Sequence, residues 1–500
     1  MRDDLVLVLD CGSTNIRAVA IKESGELVAA TSRANRSVGQ SGGRSEWLIW
    51  DLEEIWKKIV ETAREVSRRV GADAIKAVTF TTWGADGAPV SRDGKPTYPP
   101  ISWQCQRTKG IAEGIPEKIS AWEIYKITGY QVISFNTLLK MMWLRQNVPD
   151  ALDRAHAWLM MPGLLAFRLT GEFHIEPTSA STTMAMDLLR RDWSRRLLRL
   201  ADLDASFFPK WCEPGDIVGE VTGDAGRICN LRPGTPVVAS GHDTQFALLG
   251  SGAKAGEAVL SSGTWEILEV RLSGFKPDRT GFKGGMIIEA DAQPGLWNPQ
   301  LLMMGSAVLE WIRGMYYSDL EDRDYDTMIR EASKVTAGSG GVALLPSFVA
   351  DSGPTRRFRT RGTMLGLTLQ TSRAQVYRAA LEGLSYQLWL ALRILGTATD
   401  FKAKGFRVVG GGSRNDLWNK IRADVTGLPV SVTAQREATV VGAALTAFVG
   451  ICRYGSLKEA QCAIRLDERH FKPSGNRALY RKLFRKYEGL PHALEAFYGS

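Results

Sequence analysis

Two segments half a chain apart share one local grammar. Leu5-Val6-Leu7-Val8-Leu9 runs unbroken into Asp10-Cys11-Gly12-Ser13-Thr14-Asn15, and Ile16 to Ile21 is apolar-rich again. A short continuous apolar run is a buried strand, and glycine with hydroxyl residues makes a tight turn, so the segment reads strand, turn, strand. The pattern returns at Ala258-Val259-Leu260-Ser261-Ser262-Gly263-Thr264-Trp265-Glu266-Ile267-Leu268. Gly12 and Gly263 lie 251 residues apart in a chain of 500, an offset that suits a duplicated domain rather than a small-period repeat. One repeated turn also arises by chance, and the residues alone leave that open. The small-residue stretch 249–256 marks the expected boundary, giving domains 1–247 and 248–500.

The segments around these turns fill out the class. Leu52, Ile55, Trp56, Ile59 and Val60 recur at three- and four-residue spacing, which predicts a helix over 52–70. Ala77-Val78-Thr79-Phe80-Thr81-Thr82 is a β-branched strand ending at Trp83-Gly84-Ala85-Asp86-Gly87. In the second half, Phe406-Arg407-Val408-Val409 enters Gly410-Gly411-Gly412-Ser413-Arg414-Asn415, and Leu417, Trp418, Ile421 and Val425 then mark a helix face. Strands alternating with helices indicate an α/β fold. A glycine loop between strand and helix lets backbone and helix N-terminus approach a phosphate. No GxxxxGK[ST] occurs and no GxGxxG follows the first strand, so the P-loop and dinucleotide readings are weak.

Composition narrows the setting. A formal charge of +9 suits a protein that handles anions, but the charge is scattered, and no basic stripe is interleaved with aromatics as a nucleic-acid surface requires. The run Arg356-Arg357-Phe358-Arg359-Thr360-Arg361 reads as a solvated loop. Six cysteines without a CxxC pair argue against a zinc site or a disulfide framework and for a reducing cytoplasm. The apolar run before Asp10 is too short for a signal-peptide core, and no run reaches the roughly 18 apolar residues of a membrane span.

Four constellations carry candidate chemistry. Asp10 with Gly12, Ser13, Thr14 and Asn15 places a carboxylate beside turn amides and hydroxyls, which suits magnesium and phosphate, though an Asp-Gly turn alone explains it as well. Asp243, in Ser240-Gly241-His242-Asp243-Thr244-Gln245 after an apolar strand, stands where it can accept a proton from a substrate hydroxyl or cap a helix. Trp83-Gly84-Ala85-Asp86, Trp103-Gln104-Cys105-Gln106-Arg107 and Ser134-Phe135-Asn136-Thr137 offer the aromatic and polar lining of a polyhydroxylated ligand, or core packing. Small residues follow Glu437, where a nucleotide or a second helix can come close.

In this order, Asp10 to Asn15, Gly241-His242-Asp243, Ser261 to Trp265, Gly410-Gly411-Gly412 and Glu437-Ala438-Thr439 resemble the signals of the FGGY carbohydrate kinases of the actin and sugar kinase superfamily, across nearly the whole chain. The resemblance implies duplicated actin-like (ribonuclease H-like) domains flanking a deep cleft, with sugar mainly on the first and ATP mainly on the second. It implies that Asp243 takes the proton of a ketose C1 hydroxyl and that Asp10 holds Mg2+ through water. Gly12, Ser13, Thr14, Asn15, Arg17, Gly263 and Thr264 would face phosphates, and Gly411, Gly412 and Asn415 the adenosine. The sugar side would comprise Gly84, Asp86, Gln104, Cys105, Arg107, Phe135, Asn136, His242, Asp243, Thr244 and Gln245. Many relatives carry aspartate in a Trp-x-Asp-x-Arg segment where this chain has Cys105. That departure should change hydroxyl preference, and the expected ketose is L-fuculose, with L-rhamnulose, ribulose and xylulose as alternatives. The expected partners are the sugar and ATP, with a homodimer possible and no membrane or nucleic acid. The rival class is a nucleotide-gated, non-catalytic actin-like protein.

Overall fold

The computed structural model describes residues 4–320, 324–349, 353–355, 358–433, 437–464 and 467–498. Arg356 and Arg357 of the basic run lie outside the described residues. β1 (Leu5–Cys11), β2 (Asn15–Lys22) and β3 (Leu27–Ala34) form an antiparallel meander. Helix α1 (Leu52–Val70) then returns the chain so that β4 (Ile75–Thr82) lies parallel to β1. Asp51 caps α1 by accepting the Glu54 N–H at 3.0 Å, and Gly71, at φ 87°, ends it. The predicted spacing is its buried face: Leu52, Ile55, Trp56 and Ile59. After a long insertion, β5 (Ile217–Glu220) and β6 (Pro236–Val238) complete the order β5-β6-β4-β1-β2-β3.

The second half repeats this plan. Helix α2 (Asp243–Gly250) closes the first half, and the second opens with β7 (Glu257–Ser262), β8 (Trp265–Glu269), β9 (Ile287–Ala290) and β10 (Trp297–Met304). Helix α3 (Arg373–Thr399) precedes β11 (Gly405–Val409), and α4 (Asp416–Thr426) precedes β12 (Val430–Thr433). Helix α5 (Ala438–Gly450) and β13 (Glu468–Phe471) follow. The sheet order is β9-β10-β8-β7-β11-β12-β13. Each half therefore has three antiparallel strands, a parallel neighbour of the first strand with a second parallel strand beside it, and an antiparallel edge beyond, with β9 added in the second half. The repeat announced by one turn extends to strand order and direction, and the fold is a duplicated actin-like one.

Every residue of β1 is buried, as expected of a strand covered on both faces by helices. Each half has an apolar core of its own, and a further cluster joins them. Tyr125, Leu138 and Met160 of the insertion share one apolar cluster with Leu260, Ile288, Leu301 and Phe406 of the second half. Position 247/248 falls inside α2. Among the described residues no helix is long and apolar enough to cross a membrane.

Candidate active site

Strands β1, β4 and β6 end together. Asp10 pairs with Thr81 and Cys11 with Thr82 across the β1–β4 ladder, and the Thr82 N–H donates to the Gly241 carbonyl at 3.0 Å. Strand register thus brings Asp10 and Asp243, far apart in sequence, to the carboxyl edge of one sheet, where open α/β sheets bind ligands. Asp10 is 6% exposed. It accepts from Thr81 Oγ1 at 2.9 Å and from Arg17 Nε at 3.0 Å, Arg17 being its antiparallel neighbour on β2. Arg17 also pairs with Glu437 at the start of α5, so the first turn is tied to the second half.

Asp243 is the first residue of α2, while the preceding His242 occupies the cap position without a capping side-chain bond. The carboxylate accepts its neighbour Thr244 N–H at 2.7 Å, and a third of the side chain remains open (33%). Surrounding protein raises its pKa above the usual carboxylate value, and the nearby Asp10 charge adds to that while His242 opposes it. Gly84 stands against His242: a methyl there would lie 3.0 Å from His242 Nε2. The next residue, Ala85, has φ 66°, a left-handed conformation that side-chain-bearing residues rarely adopt. Its N–H donates to Thr182 Oγ1 at 2.8 Å and its carbonyl accepts from Thr137 Oγ1 and Lys140 Nζ at 3.0 and 2.8 Å.

The residues expected around a sugar separate into two sets. Gly84, His242, Asp243 and Thr244 form one group. Asp86 is wholly enclosed behind it (0% exposed): one oxygen accepts Trp50 Nε1, Trp83 Nε1 and the Trp103 N–H at 2.6, 2.8 and 3.1 Å, and the other pairs with Lys140. It holds aromatic rings in place and has no free face for a ligand. Cys105 and Arg107 belong to the second set. Arg107 Nε donates to Cys105 Sγ at 3.0 Å, Nη1 donates to the Tyr98 hydroxyl at 3.0 Å, and the guanidinium sits 4.6 and 4.9 Å from the rings of Trp47 and Trp143. Two cavities lined by Arg107, of about 350 and 310 Å³, have Trp143 in their walls and include neither His242 nor Asp243. The guanidinium is thus paired and stacked against an aromatic wall. Gln104 is exposed and accepts from Ser37. Phe135 is half-buried, and Asn136 is fully buried with its Oδ1 on the Ile133 N–H and its Nδ2 without a hydrogen-bond partner among the described residues.

The two glycine turns match in their bonding as well as their sequence. Gly12 N–H donates to Asn15 O at 2.8 Å and Gly263 N–H to Trp265 O at 2.9 Å. The residue after the third strand then reaches back to each turn: Asn35 N–H to Thr14 O at 2.8 Å and Gly305 N–H to Thr264 O at 3.2 Å. Thr14, Asn15 and Thr264 are exposed, and Ser13 is half-buried. Beside the second turn, Gly410 takes φ 84°, and any side chain on Gly412 would overlap Ser262 Oγ. Gly411 faces open space. Asn415 is 8% exposed and is the cap of α4, accepting the Trp418 N–H at 3.0 Å and donating to the Tyr377 hydroxyl at 3.3 Å, so its amide is already engaged.

Beneath these loops lies a group that sequence reading did not find. Glu289 of β9 accepts from His242 Nδ1 at 3.1 Å, Gln245 Nε2 at 2.7 Å and the Tyr130 hydroxyl at 3.1 Å. Asn298 Nδ2 joins Gln245 Oε1 to Glu269 Oε2, both at 3.0 Å. Burial opposes the charge of His242, but Glu289 overrides it and the imidazole is pushed up to about 9. Burial lifts Glu269 to about 8. On the other side, Glu176 accepts the N–H groups of Thr178 and Ser179 at 2.6 and 2.8 Å, and Thr178 Oγ1 receives the His242 N–H at 2.9 Å. The available signal was a carboxylate set within the apolar run Met286-Ile287-Ile288-Glu289-Ala290, since buried charges demand partners.

Two family models cover most of the chain. The N-terminal domain of the FGGY family of carbohydrate kinases matches residues 5–250, and its C-terminal domain residues 258–451. L-Fuculokinase of Escherichia coli strain K12 is 38% identical over 473 residues, covering 95% of this chain and 98% of the relative. L-Fuculokinase of Haemophilus influenzae is 35% identical, covering 94% and 100%. Autoinducer-2 kinase of Yersinia enterocolitica is more distant at 28%, covering 95% and 92%. Among solved structures, xylulose kinase from Rhodospirillum rubrum superposes with a TM-score of 0.89 at 22% identity, covering 99% of this chain and all of that one. Plasmodium falciparum glycerol kinase with ADP gives 0.86 at 21%, covering 98% of each chain. At such identities the superpositions speak for the fold.

Proposed function

The chain belongs to the FGGY family of carbohydrate kinases, and on that premise we propose that it transfers the γ-phosphoryl group of ATP to the C1 hydroxyl of L-fuculose. The observation that carries this reading is Asp243: a partly open carboxylate with a raised pKa, beside Asp10, at the end of the sheet that bears the first phosphate turn. A general base works best when its pKa lies nearer the operating pH than an exposed carboxylate's does. Asp243 accepts the hydroxyl proton as that oxygen attacks the γ-phosphorus, and ADP departs in line. The turns at Gly12–Asn15 and Gly263–Thr264 supply amides and hydroxyls to the phosphates, with Arg17 adding positive charge. Gly411 and Gly412 leave room for the adenosine. Gly84, Gln104, Phe135, His242 and Thr244 serve the sugar, while Asp86, Cys105, Arg107, Asn136 and Gln245 hold the surrounding wall.

Magnesium fits Asp10 only through water. Both of its oxygens already accept from Thr81 or Arg17, and among the described residues no group of three potential ligands exists. A hydrated ion carried mainly by the nucleotide phosphates suits such a site, and its chemistry is to offset charge on the transferring group. Six free cysteines fit a reducing compartment, so the proposed location is the cytoplasm.

ADP release measured over L-fuculose, L-rhamnulose, D-ribulose, L-ribulose and D-xylulose tests the reading, with the highest kcat/KM expected for L-fuculose. A different preferred ketose would revise the substrate, and no turnover with any sugar would overturn the activity. Asp243→Asn should lower kcat by about 10²–10⁴-fold, the usual worth of a positioned base, while nucleotide affinity stays near wild type.

A further inference from the structure

Glu289 stands in the second half of the chain, yet its three donors, His242, Gln245 and Tyr130, all come from the first. It is fully buried on β9, whose Ile288 N–H bonds the Gly129 carbonyl at 2.8 Å. With Nδ1 of His242 committed to Glu289, the opposite ring nitrogen, Nε2, lies 3.5 Å from Asp243 Oδ1. One rigid ring thus spans the gap between a carboxylate of one half and the reacting carboxylate of the other. Gly84 makes room for the ring there, because a methyl in its place would stand 3.0 Å from Nε2.

We propose that Glu289 is a positioning residue for phosphoryl transfer, holding His242 as an imidazolium whose second N–H points at Asp243, so that the base is set only when the two halves are docked together. This rests on the kinase reading above. A carboxylate at Nδ1 fixes both the ring's orientation and its charge, and a cation beside Asp243 favours the ionised, proton-accepting form against the burial that opposes it. The charged and titratable groups around the pair are Asp10, Cys11 and Glu176 from the first half, and Glu269 and Asp291 from the second, with Tyr130 on Glu289 itself. All are anionic or neutral, so His242 is the cation facing Asp243 within this group. Gln at 289 keeps the volume but removes the charge and one of the acceptor positions.

Two measurements on the full-length protein test this separately from the choice of sugar. The first follows the side-chain nitrogens of the five histidines by 15N NMR, with His242 assigned from His242→Asn. In the wild type the His242 ring should remain doubly protonated at pH 8, and in Glu289→Gln it should be neutral there. A wild-type ring already neutral at pH 8 would overturn the proposal. The second is kinetic. In Glu289→Gln the acid limb of the kcat profile for the preferred ketose should move to higher pH, because Asp243 has lost its cation, and kcat should fall about tenfold with KM for ATP unchanged. Glu289→Asp should recover part of both. A Glu289→Gln protein with the wild-type limb and kcat would sink the idea. Failure of the kinase reading shows differently, as a wild type that turns over no sugar, and the NMR result stands on its own in that case.

Discussion

Gly250 and Gly442 meet where α2 crosses α5, and neither tolerates a side chain: a methyl on Gly250 would overlap the Ala438 carbonyl oxygen and one on Gly442 the Phe246 carbonyl oxygen. These helices follow the equivalent strands β6 and β12 of the two halves, so the pair is the internal repeat meeting itself. Contact this close is backbone on backbone and cannot relax by rotamer change. Gly442→Ala should therefore lower stability by about 1–3 kcal/mol, the usual cost of overpacking, read as a lower urea midpoint. Because α2 begins at Asp243, kcat should fall with it. A variant with unchanged midpoint would show that the crossing is loose.

The buried pair Asp86–Lys140 gives a sharper loss. Lys140 is 1% exposed, burial lowers its pKa, and Asp86 is what keeps it charged. Asp86→Asn leaves that ammonium uncompensated and costs about 3–5 kcal/mol on the general scale for such losses. Chemical unfolding checks the figure. Near-ultraviolet circular dichroism should change too, since Trp50 and Trp83 both donate to the same carboxylate.

Much of this was legible in sequence, for an identifiable reason. The turns, the strand ends and Asp243 are local features: apolar runs, glycines and hydroxyls within a few residues of one another declare a hairpin or a helix start wherever the rest of the chain goes. Glu289 and Glu269 carry no such local mark. Their meaning comes from His242, Gln245 and Asn298, which only strand order brings to them. Cys105 and Arg107 depend on distant residues in another way. Their motif is local and recognisable, but the surroundings of the guanidinium come from Trp47 and Trp143, remote in sequence. Asp86 shows the same limit: a carboxylate beside two tryptophans reads equally as ligand or as anchor until its donors are counted.

Acid should weaken the fold through His174. Burial lowers its pKa from 6.5 to about 4, and its Nδ1 has no hydrogen-bond partner among the described residues. The unfolded chain binds this proton near pH 6.5 and the folded chain only near 4, so between those values the unfolded state holds more protons. The stability is fully present above 6.5 and is lost as pH falls through that window, by up to roughly 3 kcal/mol at its lower end. Thermal midpoints of wild type and His174→Gln at pH 7 and pH 5 measure it. The wild type should drop further between the two.

Arg422 should control nucleotide affinity without touching the nucleotide. Its Nη2 donates to Ser262 Oγ at 2.7 Å and pairs with Glu266, both flanking the second phosphate turn. Its Nη1 donates to Asn419 Oδ1 at 2.9 Å, and Asn419 Nδ2 holds the Ser413 carbonyl of the glycine loop at 2.8 Å. The guanidinium also stacks 3.6 Å from the Trp418 ring. One planar fork therefore fixes the spacing between the Gly263 turn proposed for phosphate and the Gly410–Gly412 loop proposed for adenosine. Lysine supplies the charge but neither the fork nor the stacked plane. In Arg422→Lys, KM for ATP should rise about tenfold, equal to about 1.4 kcal/mol, while KM for the ketose stays within twofold because the residues proposed for the sugar lie on the other half. Equal losses for both substrates would mean that Arg422 supports the whole cleft and not the spacing of its ATP side.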